Sequence, residues 1–398
     1  MTAVLSYIRA NARRIVRELA ELVAFPTVSA ARPDALAECA RWLVRELVRL
    51  GSRDARAVTT PGAPVVVGSI AGDPRGPTVL VYSHYDVQPA PPGAFVPRVD
   101  AGYVWGRGAS DAKGQLLAHL KAIELYRGRL PATVVFVIEG EEEIGSPHLA
   151  PVLAGIDADV AVVSDTPVLA IDRPSLTCSL RGDVYLDVTV RRSGGDRHSG
   201  TYGGVAPNAL TGLVRALASL HDRDGAVRVA GVASPPRQEP VDRASIEIAG
   251  IAGGYAGPGI KGVIPATARA KLDIRTVVGQ NTDSVHRAVF DHLARHVPHE
   301  LELATTQRAR ADAVVLDRDH PAMRAAERAY HRGFGVAPVF VRAGGSIPVV
   351  AQLARMPTVL MGFALPDDGA HGPDERYSLA MLGKAIATAA AFLEEVSR

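Results

Sequence analysis

The stretch TVVFVIEGEEEIGS, residues 133–146, runs an apolar, β-branched segment straight into four glutamates, Glu139, Glu141, Glu142 and Glu143, separated only by Gly140. Carboxylates this crowded repel one another, so something must hold those that stay ionised. The pattern of apolar run followed by polar cluster recurs in PTVLVYS (77–83), ADVAVVS (158–164) and PTVLMGF (357–363). All four runs are apolar enough to be strands covered on both faces. Between the first two, AKGQLLAHLKAIELYRG places Leu116, Leu117, Leu120, Ile123 and Leu125 at helical spacing. Strands alternating with helical periods predict an α/β domain with a mostly parallel sheet flanked by helices.

A different rhythm holds between residues 180 and 308. DVYLDVTVRR (183–192), ASIEIAGI (244–251), ATARAKLDIRTVV (266–278) and ELELATT (300–306) alternate apolar and polar residues, as half-exposed antiparallel strands do. The helical periods NALTGLVRALASLH and DSVHRAVFDHLARHV lie among them, and GGYAGPGIKG (253–262) reads as a mobile loop. The expected organisation is a larger domain of residues 1–179 and 309–398, with a smaller α+β domain, 180–308, inserted into it.

Composition excludes several classes. The chain has 398 residues, 47% of them hydrophobic, enough for a sizeable core in two or three domains. Lys plus Arg number 44 against 42 Asp plus Glu, with no basic block, so nucleic acid is not an expected partner. SYIRANARRIVRELAELVAF spaces Ile8, Ile15, Leu19 and Leu22 along one face of an Arg-rich amphipathic surface helix, unlike a signal peptide. No segment reaches membrane-spanning length. The two cysteines, Cys39 and Cys178, form no disulfide or zinc-thiolate framework. A reduced, cytoplasmic setting is the simplest expectation.

Sites in open α/β sheets form beyond the carboxyl ends of the strands, and four strands here end in residues able to bind metal. The first leads into His84 and Asp86, the second into Glu141, Glu142 and Glu143, the third into Asp165, and the last through ALPDDGA to His371. Each alone has an ordinary alternative. His84 and Asp86 could be a surface pair, and Asp111 in WGRGASDAKG could cap the following helix. Asp165, before Thr166 and Pro167, could start a turn. His371 could be a solvated loop histidine. Four such endings on one rim suggest a shared site.

Taken in order, FPTVS (25–29), SHYDV (83–87), GRGASDAKG (106–114), EGEEEIGS (139–146), SDT (164–166), HSGTYGG (198–204), RAGGSIPV (342–349) and DDGAHGPDE (367–375) cover nearly the whole chain. They resemble the di-zinc metallopeptidases and amidohydrolases that include carnosinases, bacterial dipeptidases, aminoacylase, glutamate carboxypeptidase and succinyl-diaminopimelate desuccinylase. SLRG (179–182), HSGTYGG, GGSIP and DDGAH are most similar to the carnosinase and dipeptidase branch.

The resemblance implies a zinc-peptidase-like catalytic domain carrying an inserted lid and dimerisation domain, and a site for two divalent ions. Asp111 would bridge them, with His84 and Asp165 completing one set of ligands and Glu143 and His371 the other. Zn²⁺ suits these donors, and Mn²⁺ or Co²⁺ would also be accommodated. A water shared by the two ions would attack an amide carbonyl, with Glu142 as general base and Asp86 orienting His84. His198 would reach across a homodimer to stabilise the oxyanion, its alternative being a turn histidine. Arg275, Gly345 and Ser346 would hold a substrate's C-terminal carboxylate, the alternative for Arg275 being an exposed strand position. The register leaves Glu141 as a solvated side chain whose loss the cluster should tolerate far better than that of Glu142 or Glu143, and Glu139 without a catalytic role.

The implied activity is cleavage of a dipeptide or short peptide with a free carboxylate. N-acyl-amino-acid deacylation is the alternative, since VAPNAL (205–210) is more similar to the deacylase branches. An amide-forming or a non-catalytic member of the same fold is a third reading. Ala112 stands after Asp111 where the family often has an acidic residue or Met.

Overall fold

The four apolar runs are strands Thr78–His84, Thr133–Glu139, Val160–Val163 and Thr358–Leu360, lying side by side. Thr133–Glu139, Val160–Val163 and Thr358–Leu360 follow Thr78–His84 in the same direction, each parallel to its neighbour. The last is shorter than its sequence suggests, because the chain leaves the sheet at Met361. Antiparallel strands Val65–Ile70 and Ser175–Leu180 flank this parallel block. The computed structural model describes residues 2–29, 31–126, 128–232, 240–353 and 355–398.

The order matters for the site. From Thr78–His84 the chain crosses through helix Gly114–Leu125 to Thr133–Glu139 on one side, then returns to Val160–Val163 on the other. Strand order therefore reverses at Thr78–His84, and such a reversal opens a crevice at the carboxyl ends. Helix Gly114–Leu125 is buried over most of its length and packs on helix Leu379–Val396.

This sheet belongs to one compact unit, Met1–Ser179 with Leu316–Arg342 and Ile347–Arg398. The second unit is Leu180–Val315 with Ala343–Ser346. It contains an antiparallel sheet in the order Ser245–Gly253, Thr267–Thr276, Gly182–Arg191, Glu302–Ala311. Alternate residues of Gly182–Arg191 and Thr267–Thr276 are buried with helices Ala209–Ala218 and Thr282–His296, giving a core that includes Val184, Leu186, Leu213, Ile246, Leu272, Val289 and Leu293. The strand Glu302–Ala311 keeps its pairing with Gly182–Arg191 past residue 308, the limit read from sequence. Apolar alternation fades there, as Arg308 and Arg310 face outward, while the backbone ladder continues.

A charged cluster joins three helices of the first unit. Lys121 is fully buried, with its Nζ 2.6 Å from Glu18, 2.9 Å from Glu46 and 3.0 Å from Glu124. These side chains come from helices Thr2–Ala24, Pro33–Arg49 and Gly114–Leu125. Removing one member of a buried ionic group strands its partners. Because Arg14 and Arg49 also contact Glu124, Lys121→Met should cost about 3 kcal/mol, the low end for such a change. A urea-unfolding midpoint unchanged from wild type would contradict this.

Candidate active site

His84 ends its strand with Asp86 two residues on, and both are completely buried, so they are not a surface pair. His84 Nδ1 lies 3.4 Å from Asp86 Oδ1. The same carboxylate accepts the backbone N–H of Glu142 at 3.2 Å and of Glu143 at 3.0 Å. The same imidazole nitrogen lies 3.2 Å from the Asp86 backbone oxygen, so one buried residue contacts both the imidazole and the backbone of the neighbouring strand's glutamates. The other ring nitrogen, Nε2, is 3.2 Å from Asp111 Oδ1 and 3.5 Å from Asp165 Oδ1.

Asp111 does not cap the following helix, whose N-cap position is Lys113, with no side-chain cap. It sits in the turn Ala109–Lys113 with φ −117° and ψ 92°, well outside helical geometry. That conformation turns its carboxylate toward two histidines, since Oδ2 lies 2.9 Å from His371 Nε2 while Oδ1 faces His84. Glu143 Oε2 is 3.3 Å from the same His371 nitrogen. Gln88, which sequence reasoning passed over, steadies Glu143 by donating from its backbone N–H at 3.2 Å and from Nε2 at 2.8 Å. Nothing in its spacing distinguishes Gln88 from any loop glutamine.

Two donor sets result: His84, Asp111 and Asp165, and Asp111, Glu143 and His371. One donor atom from each member of a set lies within 4.8 Å of the others. Asp111 is common to both. The side chain of Asp165 is 10% exposed and that of Glu143 5%, whereas His371 is 55% exposed at the mouth.

The electrostatics record an excess of buried negative charge. Burial opposes a charged His84, but Asp165, Asp111 and Asp86 outweigh it and hold the imidazole well above its usual pKa. His371 is pushed up to about 10 by its hydrogen bonds to Asp111 and Glu143. Burial, and then the charge of Asp165, raise Glu142 well above the usual carboxylate range. Asp165 rises to about 6 for the same primary reason, desolvation, in spite of His84. Asp111 goes the other way, because the two histidines overcome its burial.

One of the four glutamates of residues 139–143 behaves differently from expectation. Glu141 is not solvated: it is 6% exposed, and its Oε2 lies 2.7 Å from His148 Nδ1. The chain turns back after the 3-10 turn Glu142–Ile144, bringing His148 over it. Glu139 is also buried, accepting hydrogen bonds from Tyr82 at 2.5 Å and Ser146 at 2.7 Å. Desolvation lifts its pKa to about 7.

The remaining candidates lie in the second unit. His198 is exposed, and its Nδ1 accepts the Gly200 N–H at 3.0 Å, capping the short turn Ser199–Tyr202. Arg275 is not an exposed strand position. Its side chain is 21% exposed and donates to Tyr185 at 2.8 Å, Asp273 at 3.1 Å and Ser346 at 3.3 Å. Arg275 and Ser346 are thereby brought together, while Gly345 is exposed beside them.

The model of peptidase family M20/M25/M40 matches residues 80–395 of the chain. Among curated relatives, the Cys-Gly metallodipeptidase dug1 of Schizosaccharomyces pombe is 29% identical over 96% of this chain and 95% of its own length. The Beta-Ala-His dipeptidase of Homo sapiens is 29% identical over 79% of this chain and 74% of its own. The solved structure of the dipeptidase Dug1p from Saccharomyces cerevisiae superposes with a TM-score of 0.86 at 26% identity, covering 100% of this chain and 98% of that one. Human carnosine dipeptidase 1 gives 0.83 at 28% identity, covering 100% and 99%.

The burial of Glu141 gives its side chain a structural role that a solvated glutamate would lack. Glu141→Ala removes the partner of His148, which is itself a third exposed, and should lower stability by about 0.5–1.5 kcal/mol, the usual net worth of one hydrogen bond. Thermal or urea unfolding indistinguishable from wild type would refute this.

Proposed function

The chain belongs to peptidase family M20/M25/M40, and from that premise we propose that it is a two-metal dipeptidase cleaving an amide bond next to a free carboxylate. The observation that carries this is the pair of donor sets sharing Asp111, with Glu142 directly beside the donor Glu143. The sets fit divalent ions chemically. Each offers one imidazole and two carboxylates, a mixture that suits zinc and admits Mn²⁺ or Co²⁺. The carboxylates that push His84 and His371 toward higher pKa are the same negative charges that a divalent ion would balance.

His84, Asp111 and Asp165 would hold one ion and Asp111, Glu143 and His371 the other. When bound, such ions lower the pKa of a water and polarise a carbonyl. Glu142 takes the proton from the attacking water and returns it to the departing amine nitrogen, as its place beside Glu143 allows. Asp86 orients His84 and, through the two N–H groups it accepts, sets where Glu142 stands.

Arg275 and Ser346 bind the substrate carboxylate in this reading, their juxtaposition in the second unit being its support. His198 acts as oxyanion donor from the partner of a homodimer formed through the second unit, and its exposure is compatible with such a role. The dipeptidase names of the relatives favour a dipeptide over an N-acyl amino acid. A cytoplasmic setting agrees with Cys39 and Cys178 being free and buried, and no helix among the described residues is long and apolar enough to cross a membrane.

Purified protein should hydrolyse members of a dipeptide panel, and turnover confined to N-acyl amino acids would overturn the dipeptidase assignment. Glu142→Gln should lower kcat by about 10²–10⁴, the range for a lost acid–base group, at unchanged metal content. Metal binding should also release protons. His371 holds its proton until pH approaches about 10, so affinity should rise from pH 7 to 9 by up to ~10-fold per unit for each proton displaced. Calorimetry in buffers of differing ionisation enthalpy reads this, and pH-independent affinity with no proton release would contradict it.

A further inference from the structure

Glu375 lies outside both donor sets and has no role in the chemistry above, yet it is 2% exposed and surrounded by donors. Its Oε1 accepts the backbone N–H groups of Ser110 and Asp111, both at 3.0 Å. Its Oε2 accepts the Gly108 N–H at 2.9 Å and Arg107 Nη1 at 2.8 Å. Arg107, itself 4% exposed, turns its other terminal nitrogen to the backbone oxygen of His371 at 2.9 Å. One carboxylate therefore grips the turn presenting Asp111 and, through one guanidinium, the backbone of His371.

His371 needs such a grip. Its φ is +62°, the left-handed region that non-glycine residues seldom occupy and that persists only where surroundings enforce it. The small antiparallel sheet of Arg98–Asp100, Tyr103–Trp105 and Arg376–Ser378 sets the distance, since Arg376 pairs with Trp105 and the Glu375 carbonyl accepts the Gly106 N–H at 2.9 Å. Asp368 adds a parallel tie, accepting from Ser110 Oγ at 2.9 Å and from the Leu365 N–H at 2.7 Å.

We propose that Glu375, acting through Arg107, is a positioning residue that holds Asp111 and His371 in register, so that the Asp111–Glu143–His371 set can bind its ion. The asymmetry is specific. Loss of Glu375 loosens two of three members of that set, but only Asp111 in the set containing His84 and Asp165. Glu375→Gln makes a selective perturbation, because the amide NH₂ must face one of the two donor pairs that the carboxylate now satisfies.

The inference rests on the two-metal reading, and Zn²⁺ titrated into metal-stripped protein against a competing chromophoric chelator separates the two. Wild type should show two sites. Glu375→Gln should keep one within several-fold of wild type and weaken the other ~10–100-fold, the scale for a lost partner of a metal ligand. Arg107→Lys retains a cation for Glu375 but cannot span both contacts, and should weaken the same single site. It decides the matter if Glu375→Gln does not fold, and site identity is assigned by comparison with His371→Ala. A wild type with one site would overturn the two-metal reading itself. Two wild-type sites that persist at full affinity in the folded variants, or that weaken equally in Arg107→Lys, would overturn only the role of Glu375.

Discussion

Like charges buried together at the carboxyl edge of one sheet are the constraint on which the rest of the first unit depends. Asp86, Asp111, Glu142, Glu143 and Asp165 all face the neighbourhood of His84 and His371. At an effective dielectric of about 20, two unit charges 4 Å apart repel by about 4 kcal/mol. No single residue offsets repulsion on that scale. The fold does so by backbone geometry, placing N–H groups on carboxylates: those of Glu142 and Glu143 on Asp86, that of Gln88 on Glu143. What hydrogen bonds do not neutralise appears as proton affinity in the histidines and in Glu142. The same uncompensated negative charge is what the proposed divalent ions would balance.

Topology explains why the charges can converge at all. Thr78–His84 lies where strand order reverses, so the loops after it and after its two neighbours diverge and leave a crevice between them. His84 projects into that crevice from the sheet itself, whereas Asp111 and His371 arrive on irregular backbone. Rigid strand and irregular loop are thus combined within one site, and the loops require their own support.

The apolar runs made the parallel strands legible, since strands covered on both faces leave little ambiguity when each ends in polar residues. The alternating strands of the second unit were legible for the complementary reason, one face against helices and one outward. The candidate donors at strand ends that the structure brings together could be read from position. The partner of Glu141 could not, because only a turn that folds His148 back makes the contact. Arg107 and Glu375 were equally hidden, being 268 residues apart with no periodicity to link them. Sequence patterns report which face a residue occupies. They do not report which distant donor meets a buried carboxylate.

Glu141, Glu142 and Glu143 show how adjacent, chemically identical side chains acquire different properties. All three follow the same strand, but the chain leaves extended geometry at Glu141 and enters a 3-10 turn from Glu142 to Ile144. That change sends Glu141 away toward His148, while the N–H groups of its two successors dock on Asp86. Glu143 then meets His371 and Gln88, whereas Glu142 is left among negative neighbours, and its pKa rises as burial and their charge dictate. Proton affinity is therefore assigned by backbone direction within a single turn. A general base needs high proton affinity and a ligand needs a localised negative charge. In the mechanism proposed above, the turn would supply both from Glu142 and Glu143, whose backbone N–H groups donate to the one carboxylate of Asp86.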